Sequence, residues 1–383
     1  MSTKTTHPSK YNPFQTYLYM AFELGQAEWK LGFTIGFGQD PRIRTIKARD
    51  LGALRAEIET AKKRFDLPAD APVLSCYEAG RDGFWLHRYL QSAGIDNQVV
   101  DSSSIEVNRK ARRAKTDRLD VRKLVNMRMR YQQGEKRVWS VVHVPGPEAE
   151  DHRQLHRELN ALIAERTRQT NRIKGLLASQ GICLSITDDF PEDLGKIRLW
   201  DGSTLMPGLR ARLQHEYQRL QFVQSQIKAL EKERLDLIRN SDRPDVEMVR
   251  QLMHLKGIGV GSAWLYVMEF FSWRNFRNRR QVGALIGLTP TPYQSGDESR
   301  DQGISKEGNS LVRCMAIQIA WGWLTHQPDS KLSRWYEKRF GHGSKRLRKI
   351  GIVALARKLS IAMWRYLETG SVPEGAVLKT RLL

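Results

Sequence analysis

The period of the apolar positions changes along this chain, and each change marks an element. Thr16 to Glu23 (TYLYMAFE) reads as an aromatic-rich strand and Trp29 to Ile35 (WKLGFTI) as its neighbour, with the polar Gly25 to Glu28 between them. That predicts a hairpin. Helical spacing follows from Leu51 to Phe65, then a short apolar run from Val73 to Tyr77 that ends at Glu78, a second helix from Phe84 to Ser92 and a short strand from Gln98 to Asp101. A hairpin followed by strands alternating with helices predicts a mixed α/β domain.

The next segment is a basic helix. Between Arg109 and Val138 there are twelve Lys or Arg against three acids, and Leu119, Val121, Leu124, Val125 and Met127 give it an apolar side. Val141 to Pro147 (VVHVPGP) breaks the pattern and predicts a domain boundary. Two long helices come after it. One carries Leu155, Leu159, Leu162, Ile173 and Leu177, the other Leu209, Leu213, Tyr217, Leu220, Val223, Ile227, Leu230 and Leu237, at coiled-coil intervals of three and four. The Gly- and Pro-containing linker from Thr187 to Pro207 predicts that they fold back as an arm or pair between subunits. Largely helical sequence resumes after Pro244 and ends in the basic, apolar-striped Lys345 to Tyr366. The predicted domains are therefore 1–145, 146–245 and 246–383.

Composition narrows the partners. The 383 residues carry a formal charge of +21, an excess that attracts polyanions, nucleic acid first among them. A membrane surface is the other polyanion, but no run reaches the ~18 apolar residues of a span. The most apolar region, Ile258 to Phe271, is interrupted by Gly259, Gly261, Ser262 and Glu269, and Met1 to Asn12 lacks the apolar core of a signal peptide. A cytoplasmic protein is expected. Cys76, Cys183 and Cys314 are isolated from one another and suggest neither disulfides nor a zinc site.

Four carboxylates stand out by position: Glu23 and Glu78 at strand ends, and Asp117 with Asp120 three apart on the basic helix. Hard oxygen ligands of this kind suit Mg²⁺ or Mn²⁺. Salt pairing of the aspartates with Arg113, Arg118 or Lys123 explains the same residues equally well, and the sequence leaves both readings open.

Two further stretches carry candidate chemistry. LKGIGVGS (Leu255 to Ser262) resembles a helix-hairpin-helix turn, whose backbone N–H groups contact a phosphate, although a plain tight turn fits as well. GLTPTPYQSGDESRDQGISKEGNSLVR (Gly287 to Arg313) holds Ser295 and Ser305 in a loop rich in turn formers, ahead of a helix from Ser310. On composition alone both serines are turn or cap residues. His152 and His156, four apart, are expected on a solvated helix face rather than on zinc. Trp264, Trp273, Trp321, Trp323 and Trp364 are expected in the core rather than stacked on bases.

Taken together, the motifs LKGIG, GLTPTPYQSG and GISKEGNSLVR, with the acids and the coiled-coil middle, resemble the transposases of the insertion-sequence one-ten family. The likeness is closest to its one-one-one-one subgroup. These are the DEDD transposases, or bridge-RNA-guided serine recombinases, and the resemblance covers most of the chain. It implies a RuvC-like (RNase H-like) α/β domain, a coiled-coil helical arm and a mostly α-helical C-terminal transposase domain. Glu78 in YEAG matches the family's glutamate, Asp117 and Asp120 in KTDRLD its last two aspartates, and Glu23 falls where the family has its first aspartate. Ser295 matches the serine that attacks DNA, with Ser305 in GISK as fallback.

What this implies is excision and insertion of an element through a phosphoserine intermediate, with the acids holding Mg²⁺ or Mn²⁺. A structured noncoding guide RNA would pair with donor and target DNA, and a dimer or tetramer would form through the coiled coil. Arg109, Lys110, Arg112, Arg113, Lys115, Arg118, Lys256, Gly257, Gly259, Lys306 and Arg313 are the expected nucleic-acid contacts. A metal-dependent junction nuclease, or a non-catalytic nucleic-acid-binding protein, would use subsets of the same residues.

Overall fold

The computed structural model describes residues 16–81, 83–106, 116–295 and 298–381. The chain forms two compact units, Met1–Val144 and Pro145–Leu383.

The first unit is built on five strands, β1 (Leu18–Leu24), β2 (Glu28–Thr34), β3 (Arg42–Lys47), β4 (Val73–Glu78) and β5 (Asp96–Val100), in the order β3-β2-β1-β4-β5. β1, β2 and β3 form an antiparallel meander, whereas β1, β4 and β5 run parallel. Side chains alternate between the faces, as the pleat requires. Leu18, Met20 and Phe22 pack on α1 (Leu51–Arg64) and α2 (Trp85–Ser92). Tyr19, Ala21, Leu74 and Cys76 pack instead on α3 (Asp117–Gln132). α3 lies close to the sheet because residue 32 of β2 has no side chain: a Cβ there would run into Val121. The charged β3, with its Arg42, Arg44 and Lys47, has no alternating apolar signal, and the sequence pattern passes over it.

The second unit begins with α4 (Pro147–Asp151) and two long helices, α5 (Gln154–Ala178) and α7 (Pro207–Asn240). α5 and α7 pack antiparallel within the chain. Leu159 meets Val223 and Ile227 in mid-seam, and Ile173 and Leu177 meet Leu213, Tyr217 and Leu220 at the far end. That end is closed by α6 (Phe190–Lys196), whose buried Phe190 and Leu194 fill it from the connecting segment. The apolar seam expected from the sequence is thus spent on an intrachain hairpin.

α8 (Pro244–His254), α9 (Val260–Tyr266), α10 (Arg279–Ile286), α11 (Ser310–His326), α12 (Lys331–Tyr336) and α13 (Lys345–Thr369) enclose one large core. α9 continues into a π-helical turn, Val267–Phe271, that is buried throughout. Trp264 and Trp323 are core residues as expected. Trp321, two positions before Trp323 and so on the opposite side of α11, is 47% exposed and departs from that expectation. Between α10 and α11 the chain forms a two-stranded hairpin, β6 (Pro290–Ser295) and β7 (Glu298–Ile304), where the sequence predicts a loop.

Candidate functional site

Glu23 and Glu78 come together through strand register. Phe22 of β1 stands beside Tyr77 of the parallel β4, so the next residues, Glu23 and Glu78, occupy adjacent strand ends. By the two-residue alternation both lie on the α3 face, since Ala21 and Cys76 pack there. The two glutamates line one open cleft of about 420 Å³ with Gln26, Gly80 and Arg81.

Asp117 and Asp120 occupy the first turn of α3, which is capped by Thr116 Oγ1 accepting from Leu119 N. Carboxylates there also complement the positive end of the helix. Asp117 pairs with Lys30 Nζ at 3.5 Å, and among the described residues it makes no ion pair with Arg118 or Lys123, while Arg113 lies outside them. Lys30 is the cross-strand partner of Glu23, so the register links three of the four acids to one end of the sheet. Among the described residues no three His, Cys, Asp or Glu converge tightly enough to form a ready metal cage. The donor set is nonetheless all oxygen, as Mg²⁺ prefers, and Mg²⁺ commonly takes one or two carboxylates and keeps its waters.

Of the expected nucleic-acid contacts, Arg109, Lys110, Arg112, Arg113 and Lys115 lie outside the described residues. Arg118 is exposed on α3. The LKGIG turn directs much of its backbone inward. Lys256 N donates to Val377 O, Ile258 N to Leu255 O and Gly259 N to Ser262 Oγ, while Gly257, at a φ of 93°, packs against His326 and α11.

Ser295 closes β6 opposite Glu298, at the tip of the hairpin. The hairpin is held at its base. Ser305 N donates to Thr289 O, and Ser305 Oγ is buried with no protein partner among the described residues. Arg313 Nη1 donates to the carbonyls of Ile286, Lys306 and Glu307, clasping the ends of the 287–308 loop. Lys306 has a left-handed φ of 58°, next to this clasp. Gly287 is left-handed as well (φ 73°), and a Cβ there would strike the Glu307 carbonyl. The motif residues around the serine thus shape the loop.

One residue important to this region stood in the sequence only as an interruption of an apolar run. Glu269, fully buried in the π-helical turn, accepts from Arg157 Nε (2.6 Å) and Nη2 (3.1 Å), and its Oε1 lies 2.9 Å from His156 Nε2. Asn309 Nδ2 donates to its other oxygen at 3.0 Å. Burial alone would raise the carboxyl pKa, but the hydrogen bonds from His156 and Arg157 and the Arg157 charge outweigh it and hold it at about 2. His156 is therefore a buried partner of a carboxylate, and His152 Nδ1 sits 2.8 Å from Asp245. The expectation of a solvated histidine face is corrected. An acid placed in a run of apolar residues was the available signal.

Comparison with known proteins adds the decisive observation. Residues 249–335 match the family described as Transposase IS116/IS110/IS902. Over 379 residues, covering 95% of each chain, the sequence is 41% identical to the putative transposase y4rJ of Sinorhizobium fredii. The chain belongs to the IS116/IS110/IS902 transposase family. The transposase for insertion sequence element IS1111A of Coxiella burnetii is 26% identical over 73% of this chain and 74% of its own. That for IS1328 of Yersinia enterocolitica is 27% identical over 60% and 68%. The family match spans the LKGIG turn, Glu269, the serine hairpin and the Arg313 clasp, and the longer match to the Sinorhizobium protein extends over the acidic cleft as well.

Proposed function

We propose that this insertion-sequence transposase cuts and rejoins DNA with two half-sites, the acidic cleft of the first unit and Ser295 of the second. The observation that carries the reading is the register that sets Glu23 beside Glu78 on the α3 face, where Asp117 and Asp120 begin the helix. The sheet order β3-β2-β1-β4-β5, an antiparallel meander followed by parallel strands, supports a RuvC-like assignment for this unit.

Glu23 and Glu78, with Asp117 and Asp120 beside them, would hold Mg²⁺ or Mn²⁺. When bound, the ion supplies charge stabilisation on the phosphate oxygens and lowers the barrier to attack. Ser295, at the tip of a hairpin pinned at its base, attacks the DNA phosphorus through its hydroxyl oxygen. As the new P–O bond forms the hydroxyl gives up its proton, the P–O bond to the deoxyribose oxygen breaks, that oxygen takes up a proton and leaves as a free hydroxyl, and the phosphoserine ester is conserved for rejoining. The Arg313 clasp holds the hairpin base, and Asn309 ties the helix that follows it to Glu269.

The charge of +21 supports binding to both DNA and a structured guide RNA, with sequence read by base pairing and the protein gripping phosphates. Self-association would use the outer faces of α5 and α7, since their shared seam is already filled; Phe222, 66% exposed on α7, lies on such a face. Among the described residues no helix is long and apolar enough to cross a membrane, in keeping with action on chromosomal DNA in the cytoplasm.

Excision of a marked element in cells tests the scheme. Glu78→Gln and Ser295→Ala should each abolish excision. A Ser295→Ala protein that still cuts DNA in a Glu78-dependent way would instead identify a hydrolytic junction nuclease.

A further inference from the structure

The base of the serine hairpin and the start of α13 enclose a groove of about 720 Å³. Its floor is aliphatic: Leu288 and the hairpin residues Pro290 and Ile304 face Ile350 and Val353 of α13. Its rim is cationic: Lys345, Arg346, Lys349 and Arg357, with no acidic side chain lining it. Among the described residues none of these four cations is ion-paired.

A second observation concerns the start of α13 itself. Residues 345–350 are exposed without a break, including Leu347 at 39% and Ile350 at 52%, and the first turn contains basic but no acidic side chains. Cations at the amino end of a helix oppose its dipole and weaken it. A folded protein that tolerates this at an exposed, partly apolar turn is keeping the charges for something other than its own stability.

We infer that this groove seats a strand of the DNA substrate next to the hairpin that carries Ser295. The inference rests on the assignment of that serine as the strand-attacking residue. Charge complementarity selects a polyanion, and the rim cations are spaced along a helix face as phosphate partners would be. The aliphatic floor offers no hydrogen-bonding group for a base edge or a ribose 2′-hydroxyl and no aromatic ring for stacking. The groove therefore grips without reading sequence and favours deoxyribose. From Pro290 at the groove to Ser295 at the tip the hairpin runs six residues, at most about 17 Å of strand. The gripped phosphates then lie within about five nucleotides of the attacked one.

The test is binding of the full chain to a 30-nucleotide DNA strand, its duplex, and an RNA of the same sequence, across a salt series, for wild type and the triple variant Lys345→Ala, Arg346→Ala, Lys349→Ala. All three residues are exposed, so the variant should fold with an unchanged or higher Tm. Loss of three phosphate contacts should weaken DNA binding at least tenfold and reduce the salt slope by about 2 to 3. The DNA contact nearest the cut should disappear from a hydroxyl-radical footprint. An unchanged slope, or a loss confined to the RNA, overturns the inference. Adduct formation separates this from the chemistry: if Ser295→Ala abolishes the DNA adduct while the groove variant binds like wild type, the groove fails and the serine assignment stands. If the adduct survives Ser295→Ala, the serine assignment fails, and with it the groove's placement at the attacked phosphate.

Discussion

Asn309 Nδ2 donates to Glu269 Oε2 at 3.0 Å, and the same asparagine caps α11 by accepting from Leu311 N at 2.9 Å. One residue thereby ties the helix that follows the serine hairpin to a buried carboxylate held from the other side by His156 and Arg157 of α5. Through Glu269 the arm helix and the hairpin base share a single anchor.

Removing the anchor leaves Arg157 without its counter-charge and the buried His156, with Asn309, without their acceptor, which costs more than the pair contributes when whole. Glu269→Ala should destabilise the protein by about 3 to 5 kcal/mol in urea unfolding. Glu269→Gln should cost less, because it retains the bond from Asn309. A loss below about 1 kcal/mol for the alanine variant would show that the network is dispensable.

The same carboxyl sets an acid limit. Its pKa is held at about 2, below the 4.5 of an unperturbed glutamate. The stability it contributes is complete above about pH 4.5 and is lost as pH falls from there through 2, up to about 3 kcal/mol for a shift of this size. Between pH 5 and pH 3 the wild type should lose urea-unfolding stability more steeply than Glu269→Gln. Parallel pH profiles would contradict this assignment.

At Gly287 a side chain meets both a left-handed backbone and the Glu307 carbonyl. Gly287→Ala should cost more than about 1 kcal/mol and loosen the hairpin base. Strand transfer should fall more than DNA affinity does, which a comparison of transfer rate with anisotropy binding would reveal. Equal loss of both would show that the loop serves binding only.

Lys30 sits between two acids, opposite Glu23 and paired with Asp117. Asp117 is exposed and Lys30 only partly covered, and their contact is a long 3.5 Å, so Lys30→Gln should alter stability by no more than about 1 kcal/mol. It should tighten Mn²⁺ binding severalfold in a calorimetric or resonance titration, since a cation is removed from beside the carboxylates, and Glu78→Gln should abolish the gain. Weaker Mn²⁺ binding by Lys30→Gln would place the metal elsewhere.

Much of the first unit was legible in the sequence because its strands and helices carry clean periods: β1, β2, α1, β4, α2 and β5 all fall where the apolar pattern puts them. β3 was not, since its charged side chains RIRTIK give no alternation. The serine hairpin was not legible either, because Pro290 and Pro292 in β6 and Gly303 in β7 read as turn formers, and the ladder shows only in the antiparallel register of the two strands. Of the site, the two glutamates could be placed at strand ends, but their adjacency follows from the parallel β1–β4 pairing, a long-range fact that no local pattern contains. Glu269 and His156 meet across more than a hundred residues for the same reason.

We propose that Ser295 becomes covalently joined to DNA, and a gel assay tests this directly. The full-length protein, expressed with its flanking element DNA and any RNA that the element makes, is incubated with Mg²⁺, denatured in detergent and resolved on a gel that detects protein-bound DNA. The wild type should form an adduct that is absent in Ser295→Ala and in Glu78→Gln. DNA cut with no adduct in the wild type, or an adduct that persists in Ser295→Ala, would contradict it.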